Sequence, residues 1–175
     1  MFTKTFPLAL ALALLGGAAA AETIEVQMLN RGEAGPMQFE PAFVQAQPGD
    51  TIHFVPTDRG HNSHAVEGLL PEGAEAWKGD INEEVSVTVT AEGLYGYQCD
   101  PHAPLGMVGL IQVGAPTNLD AFTEAAGELR GKAKDRMAEL LTQVSQDGAA
   151  ASDAAGTEAE STAGAAEGEA EPASE

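Results

Sequence analysis

Three side chains that bind soft metals lie close together in one short segment of the sequence. Cys99, His102 and Met107 supply a thiolate, an imidazole and a thioether, and a second imidazole comes from His61 further upstream. Two histidines and a cysteine in one plane, with a weakly bound axial methionine, form the ligand set of a type 1 (blue) copper site. The four residues therefore predict a site for one copper ion.

This ligand set is suited to electron transfer rather than to substrate chemistry. Thiolate and thioether sulfurs are soft ligands that favour Cu(I), whereas imidazole binds both oxidation states of copper. A site that accepts both states changes little when an electron arrives, and the transfer is then fast. The predicted function is that of a one-electron carrier, not of an enzyme.

Each of these residues taken alone has a simpler interpretation. Met107 by itself would be a core residue, Cys99 a small buried hydrophobic residue, and His61 an ordinary loop residue. The combination is more specific, because Met107 follows Gly106 at a fixed distance from His102, and Cys99 is the only cysteine of the chain. A lone cysteine in an exported protein has no internal disulfide partner, and a bound metal would protect it from oxidation.

The segment 22–114 predicts the strands that hold these loops in place. Apolar and polar residues alternate in three stretches, which Gly- and Pro-containing turn sequences separate. The alternating apolar residues are Ile24, Val26, Met28, Ile52, Phe54, Val85, Val87 and Val89. Two further short strands, 94–98 and 108–113, flank the segment that contains Cys99. Short strands at this spacing predict an all-β fold, a β-sandwich.

Residues 115–146 predict two helices that pack on the sandwich. Thr117 followed by Asp120 resembles a capping box at the start of the first helix. The second helix follows Gly131 and carries an apolar stripe at helical spacing, formed by Met137, Leu140, Leu141 and Val144. A stripe of this kind is ordinarily packed against a core, and neither helix is expected to carry chemistry.

The N-terminal segment 1–21 has the layout of a secretory signal peptide. One positive charge at Lys4 precedes an apolar stretch, 6–15, and four small residues precede Glu22. The apolar stretch is shorter than the ~20 residues that a membrane-spanning helix requires. We therefore expect cleavage after Ala21 and export of a soluble protein to the periplasm.

The charge of the chain limits its partners. The chain holds 27 acidic and 8 basic residues, a formal net charge of −19, and residues 22–147 alone hold 20 acidic and 7 basic residues. This composition disfavours nucleic acid as a partner, because phosphate binding requires a basic surface. The segment 147–175 consists almost wholly of Ala, Glu, Gly, Ser and Thr, a composition that predicts a disordered acidic tail.

Six short segments, spread over about residues 22–144, are shared with a known family. They are 28–32 (MLNRG), 37–43 (MQFEPAF), 47–51 (QPGDT), 60–62 (GHN), 70–75 (LPEGAE) and 99–107 (CDPHAPLGM). These segments resemble the pseudoazurins, which are cupredoxins. The resemblance implies an eight-stranded Greek-key β-sandwich with the copper near one end. It also implies that His61, not His64, is the upstream ligand. Because His53 alternates with Ile52 and Phe54, it is expected on the solvent side of its strand, and both His53 and His64 are expected to be surface residues.

The same resemblance implies roles for residues around the copper. In that family the C-terminal histidine ligand, here His102, reaches the surface and serves as the electron port. An apolar patch is expected around it, formed by Pro36, Ala103, Pro104 and Leu105. Asn62 is expected to brace the site and to direct its backbone N–H at the sulfur of Cys99, whereas Pro101 has no N–H to donate. Met37 is expected to pack near the exposed histidine.

The partners implied by the resemblance are redox proteins, either a copper nitrite reductase or a c-type cytochrome, that meet a monomeric carrier. Family members that serve nitrite reductase ring the port with lysines. This chain offers Arg31, Arg59 and Lys78 near such positions, and Gln98 stands before the cysteine. The local basic residues and the global negative charge therefore oppose each other in docking to an acidic reductase.

Three other functions compete with the electron carrier. A thiol enzyme would need a third group that orients His102 as the base for Cys99, and the sequence indicates none. A copper reductase or oxidase needs a second metal site, for which only His53 and His64 remain. A copper storage or delivery protein would use the same ligands; this alternative stays open, although mixed ligands suit redox cycling better than release.

Overall fold

The structure is a computed structural model, and it describes residues 20–144. This part of the chain forms eight strands and two α-helices. The strands are β1 (Thr23–Gly32), β2 (Gly35–Glu40), β3 (Phe43–Ala46), β4 (Thr51–Val55), β5 (His64–Ala65), β6 (Val85–Thr88), β7 (Gly93–Gln98) and β8 (Val108–Val113). The helices are α1 (Leu119–Gly127) and α2 (Lys132–Leu141), and a short 3-10 helix, Ala103–Leu105, lies between β7 and β8.

The strands pair into two four-stranded sheets. The first sheet has the order β2-β1-β4-β6 and the second the order β3-β8-β7-β5. β1 is parallel to β4 and β3 is parallel to β8, whereas all other neighbours in these sheets are antiparallel. Successive strands therefore often lie in different sheets, as β2 and β3 do. The predicted eight-stranded Greek-key sandwich is confirmed.

The space between the sheets holds apolar side chains from alternating strand positions. Val26 and Met28 of β1 and Ile52 and Phe54 of β4 are fully buried, as the alternation predicted. An aromatic cluster with ring centroids 4.7 to 6.2 Å apart fills the centre; it consists of Phe39, Phe54, Trp77 and Tyr97. The indole Nε1–H of its Trp77 donates to the hydroxyl of Ser63, 3.0 Å away, and links the core to the loop that contains His61.

The two helices cover the outer face of the second sheet. Phe122 of α1 is buried in one cluster with Leu94 of β7 and Leu110 of β8, and both strands are therefore buried on both faces. The predicted stripe of α2 is confirmed: Met137 and Leu140 are buried, and Leu141 and Val144 pack against the same cluster. This helix-covered face contains no group of metal-binding side chains among the residues that the structure describes.

The start of α1 differs from the prediction, and the expected capping box is wrong. The N-cap is Asn118, and its side chain does not cap the helix. The amide of Asn118 instead accepts from the N–H of Leu94 (2.7 Å) and donates to the carbonyl of the same residue (3.1 Å). The hydroxyl of Thr117 donates to the carbonyl of Glu92 (2.8 Å). These polar side chains thus bond to backbone groups at and just before the start of β7 instead of capping α1, and they link the helix to the sheet.

The segments 1–19 and 145–175 lie outside the described residues. The signal peptide and the disordered tail therefore stay predictions, as does the division of the chain at residues 114 and 146. Within residues 20–144, no helix combines the length and the apolar character needed to cross a membrane.

Candidate metal centre

The segment between β7 and β8 is held together by its own backbone hydrogen bonds. The N–H of Cys99 donates to the carbonyl of Met107 (3.0 Å), directly before β8 begins. The N–H of His102 donates to the carbonyl of Cys99 (3.1 Å), and the N–H of Met107 donates to the carbonyl of His102 (3.2 Å). Gly106 has a φ of 94°, a left-handed conformation that glycine adopts without strain. These bonds hold three of the four predicted ligands, Cys99, His102 and Met107, in one short loop between β7 and β8.

The second imidazole comes from the loop before β5. His61 is fully buried, and its Nε2 lies 3.0 Å from Oδ1 of Asn30. Because that amide oxygen can only accept, Nε2 carries the proton. The other ring nitrogen, Nδ1, is then unprotonated and faces Cys99, with an Sγ–Nδ1 distance of 3.7 Å. Asn30 fixes the tautomer and the orientation of this imidazole, as the partners of metal-binding histidines commonly do.

Three potential ligand atoms converge on one point. The Sγ of Cys99 lies 3.5 Å from Nδ1 of His102, and Nδ1 of His102 lies 3.1 Å from Nδ1 of His61. All three atoms lie within 4.8 Å of one another, and no other group of this kind exists among residues 20–144. Met107 is fully buried in the same loop. One thiolate, two imidazoles and a nearby thioether fit copper.

Burial determines the protonation of two of these groups. Burial lowers the pKa of His61, the imidazole of His102 lowers it further, and the carboxylate of Asp58 opposes both. Burial raises the pKa of the Cys99 thiol, although the backbone N–H groups of Asn62 and His102 lower it. The imidazole of His61 is therefore available as a neutral ligand, and a metal ion that binds must displace the thiol proton.

Asn62 braces the two ligand-bearing loops, as the resemblance implied. Its backbone N–H is directed at the sulfur of Cys99 as a hydrogen-bond donor, which lowers the pKa of that thiol. Its side-chain Oδ1 accepts from the N–H of Asp100 (2.8 Å), and its Nδ2 donates to the carbonyl of Gly79 (3.0 Å) and to Oδ2 of Asp100 (3.1 Å). Asn62, which follows His61, and Asp100, which follows Cys99, therefore each donate a hydrogen bond to the other.

Comparison with known proteins identifies the same kind of site. The sequence matches the model of copper binding proteins of the plastocyanin/azurin family over residues 26–114. It is 55% identical over 137 residues to the pseudoazurin of Paracoccus pantotrophus, which covers 78% of this chain and 93% of that protein. The chain belongs to the pseudoazurin family. Members of this family bind one type 1 copper and transfer electrons between redox proteins, and they are not enzymes, so the predicted cofactor and the electron-carrier function are confirmed.

Solved pseudoazurins also share the fold of this chain. The native pseudoazurin of Hyphomicrobium denitrificans superimposes with a TM-score of 0.67 at 42% identity, over 71% of this chain and 99% of that chain. The pseudoazurin of Methylobacterium extorquens AM1 also gives a TM-score of 0.67, at 39% identity, over 70% of this chain and 99% of that chain. The covered share of this chain is larger than residues 22–114 alone, so the likeness extends to the C-terminal helices, which the sequence pattern predicted.

The surface near His102 has the apolar character expected of an electron port in the pseudoazurin family. His102 itself is half-buried, whereas His61 and Cys99 are fully buried. Pro104 and Leu105 follow His102 closely in the chain and are exposed, Leu105 to 51%, and the exposed Pro36 lines the same groove as Leu105. His102 is therefore the one ring of the cluster with an edge towards solvent.

The basic residues near this surface differ from the set that the sequence suggested. Arg31 and Arg59 are exposed as expected, but the ammonium of Lys78 lies 3.3 Å from a carboxylate oxygen of Asp100. A groove of about 550 Å³ beside Leu105 is lined in addition by basic and acidic residues of α2, which are Lys132, Asp135, Arg136 and Glu139. This contribution could not be predicted from the sequence because α2 is far from the port in the chain.

Neither of the two remaining histidines joins the ligand cluster. His53 faces outward from β4 and lies 3.2 Å from the carboxylate of Glu84. The Nδ1 of His64 lies 2.8 Å from Oδ1 of Asp100, and its side chain is 31% exposed. His64 is thus not the simple surface residue that was expected. Asn30 and Asp100 were also missed; the nearest signal in the sequence is that Asp100 directly follows the predicted cysteine ligand.

Proposed function

We propose that His61, Cys99, His102 and Met107 hold the copper of a soluble, monomeric periplasmic electron carrier. The observation that carries this proposal is the convergence of three ligand atoms, from two separate loops, to within 4.8 Å of one another. Copper held there supplies a centre that takes up and releases one electron. The protein excludes water from Cys99 and His61 and fixes the His61 ring through Asn30.

Electrons enter and leave at the edge of His102. This ring is the partly exposed member of the cluster, and Pro36, Pro104 and Leu105 form an apolar surface next to it. Two proteins can approach closely at an apolar surface because few polar groups there must give up their hydration, and a small patch supports only a short-lived contact. The surface is therefore the docking site for both electron donor and electron acceptor.

The redox partners are a respiratory or denitrification reductase such as copper nitrite reductase, to which the carrier delivers electrons, or a c-type cytochrome. Arg31 and Arg59 near the port, with Lys132 and Arg136 beside the groove, provide local positive charge for an acidic partner. The acidic residues Asp135 and Glu139 line the same groove, and the chain as a whole is strongly negative. Local attraction and global repulsion therefore largely cancel.

The rate of electron transfer as a function of ionic strength tests this docking surface. With an acidic reductase we expect a shallow salt dependence, because salt screens local attraction and global repulsion together, with a screening length of about 8 Å at physiological ionic strength. With a basic cytochrome c we expect the rate to fall as salt is added. Stopped-flow measurement of the second-order rate constants decides between these cases.

Charge-reversal variants locate the surface. Arg59→Glu and Lys132→Glu should each slow the reaction with the acidic partner. The matched control is Lys134→Glu, since this exposed lysine lies on the same helix but bonds to the carbonyl of Gly127 and does not line the groove. A steep fall with salt for the acidic partner, or equal effects of all three variants, would contradict the proposed balance.

The leader-like composition of residues 1–21 supports the periplasmic location, and export has its own test. The leader 1–21 should be absent from the mature protein, which should then begin at Glu22. Mass spectrometry of protein from a periplasmic fraction measures this directly. Full-length protein retained in the cytoplasm would contradict the proposal.

A further inference from the structure

The carboxylate of Asp100 joins three segments of the chain next to the metal centre. Its Oδ1 lies 2.8 Å from Nδ1 of His64, and its Oδ2 lies 3.1 Å from Nδ2 of Asn62 and 3.3 Å from Nζ of Lys78. Asp100 directly follows Cys99 in the chain. One side chain therefore receives hydrogen bonds from the loop of the upstream ligand, from β5 and from the segment around Lys78.

The backbone brings these donors together independently of the carboxylate. His64 pairs with Gln98 in the second sheet and forms an isolated bridge with Lys78. The N–H of Gly79 donates to the carbonyl of Ser63 (2.8 Å) and fixes the same corner. The backbone that carries the three donors is therefore held in place by contacts other than those to the carboxylate, so the clamp requires little further backbone ordering.

The carboxylate of Asp100 is surrounded by nitrogen donors, which lie at 2.8 Å (His64 Nδ1), 3.1 Å (Asn62 Nδ2) and 3.3 Å (Lys78 Nζ) from its two oxygens. Hydrogen bonds to a charged acceptor are stronger than those between neutral groups. The cluster is therefore a firm link even though its members are partly exposed.

We propose that His64, Lys78 and Asp100 form a positioning clamp, which holds Asn62 so that its backbone N–H stays directed at the sulfur of Cys99. This inference rests on the proposed ligand role of Cys99. Asn62 is bonded to Asp100 through both ends of its side-chain amide, so a displaced Asp100 carboxylate would shift Asn62 as well. Hydrogen bonds to a ligand sulfur tune the reduction potential of a copper site. The clamp also engages Nδ1 of His64 and keeps it away from the metal.

The test compares His64→Leu with a matched control. His64→Leu removes the donor to Asp100, His64→Gln keeps a donor, and His53→Leu removes the other histidine–carboxylate pair, with Glu84, away from the metal centre. In the copper-loaded protein, His64→Leu should lower the midpoint potential and change the ratio of the visible absorption bands. His64→Gln should restore part of both values, and His53→Leu should change neither.

A second readout needs no copper. In the metal-free protein, exchange of the Asn62 backbone N–H with solvent should be at least about fivefold faster in His64→Leu, the effect of losing one net hydrogen bond. It should be unchanged in His53→Leu. In an Asp100→Ala background, His64→Leu should add nothing to either readout, because the clamp acts through that carboxylate.

Unchanged Asn62 exchange in metal-free His64→Leu would overturn the clamp, whatever the copper form shows. Additive effects of His64→Leu and Asp100→Ala would overturn it as well. Failure of the proposed ligand set has a different signature, since the wild-type protein would then lack the thiolate-to-copper absorption band altogether. The exchange measurement decides the clamp even in that case.

Discussion

The ligand loops and the helix-covered face of the second sheet are both buried, but different interactions hold them. At the ligand end, the buried side chains of His61, Asn62 and Ser63 are polar, and each has a hydrogen-bond partner. On the helix-covered face, Leu94 and Phe122 pack with other apolar side chains. Hydrogen bonds are directional and contribute little net stability, whereas apolar burial is non-directional and contributes much.

Because of this difference, we expect that the geometry of the site and the stability of the fold can be altered separately. The interactions at the ligand end fix the geometry of the metal ligands, so substitutions there should change absorption spectra and reduction potentials. The packing of the helix-covered face contributes to the free energy of unfolding, so substitutions there should change melting curves. Variants in one region should leave the measured property of the other almost unchanged.

The largest expected effect is the loss of the metal centre in Cys99→Ala. Without the thiolate, the intense thiolate-to-Cu(II) absorption band cannot form. The fold should survive, because the apolar packing around Cys99 does not require its sulfur atom. Visible absorption measures the first outcome and circular dichroism the second. Loss of the folded state in the metal-free variant would show that the two regions are not separable.

The next effect concerns the helix-covered face. Phe122→Ala leaves a cavity beneath α1 where a side chain only 1% exposed had been, and should reduce the free energy of unfolding by about 3–5 kcal/mol. Phe122→Leu, the conservative control, should cost less. Denaturant unfolding provides both values, and the band ratio of folded copper-loaded protein should match the wild type. A changed band ratio would mean that this packing reaches the ligand loops.

The smallest effect is expected from deleting residues 148–175. This segment has seven acidic residues, no basic one and no aromatic or branched aliphatic side chain, so few packing contacts should be lost. The melting temperature of the copper form should stay within about one degree of the full-length value. A substantial drop would show that the segment packs on the domain.

Local patterns in the sequence predicted most of the fold and the proposed ligands. Alternation identified β1 and β4, and the spacing of Cys99, His102 and Met107 identified the ligand loop. These signals are readable because they arise from residues close together in the chain. His61 was found only by its chemistry and by the resemblance of its neighbours.

Side-chain contacts between distant segments could not be predicted from the sequence. The bond between His64 and Asp100, the bond between Asn30 and His61, and the position of α2 beside the port depend on how strands pair in three dimensions. His64 was assigned to the surface since a lone histidine near a loop has no sequence signal for its partner. The incorrect capping box arose in the same way.

Titration of the metal-free protein with Cu(II), followed by visible absorption, tests the central claim most directly. One equivalent should produce an intense thiolate-to-Cu(II) band that saturates, disappears on reduction and returns on reoxidation. The band should be absent from Cys99→Ala and lost or strongly altered in His61→Ala, while His64→Gln should still form it. Absence of the band in the wild-type protein, or its persistence in Cys99→Ala, would contradict the assignment of His61, Cys99, His102 and Met107 as the ligands of a type 1 copper.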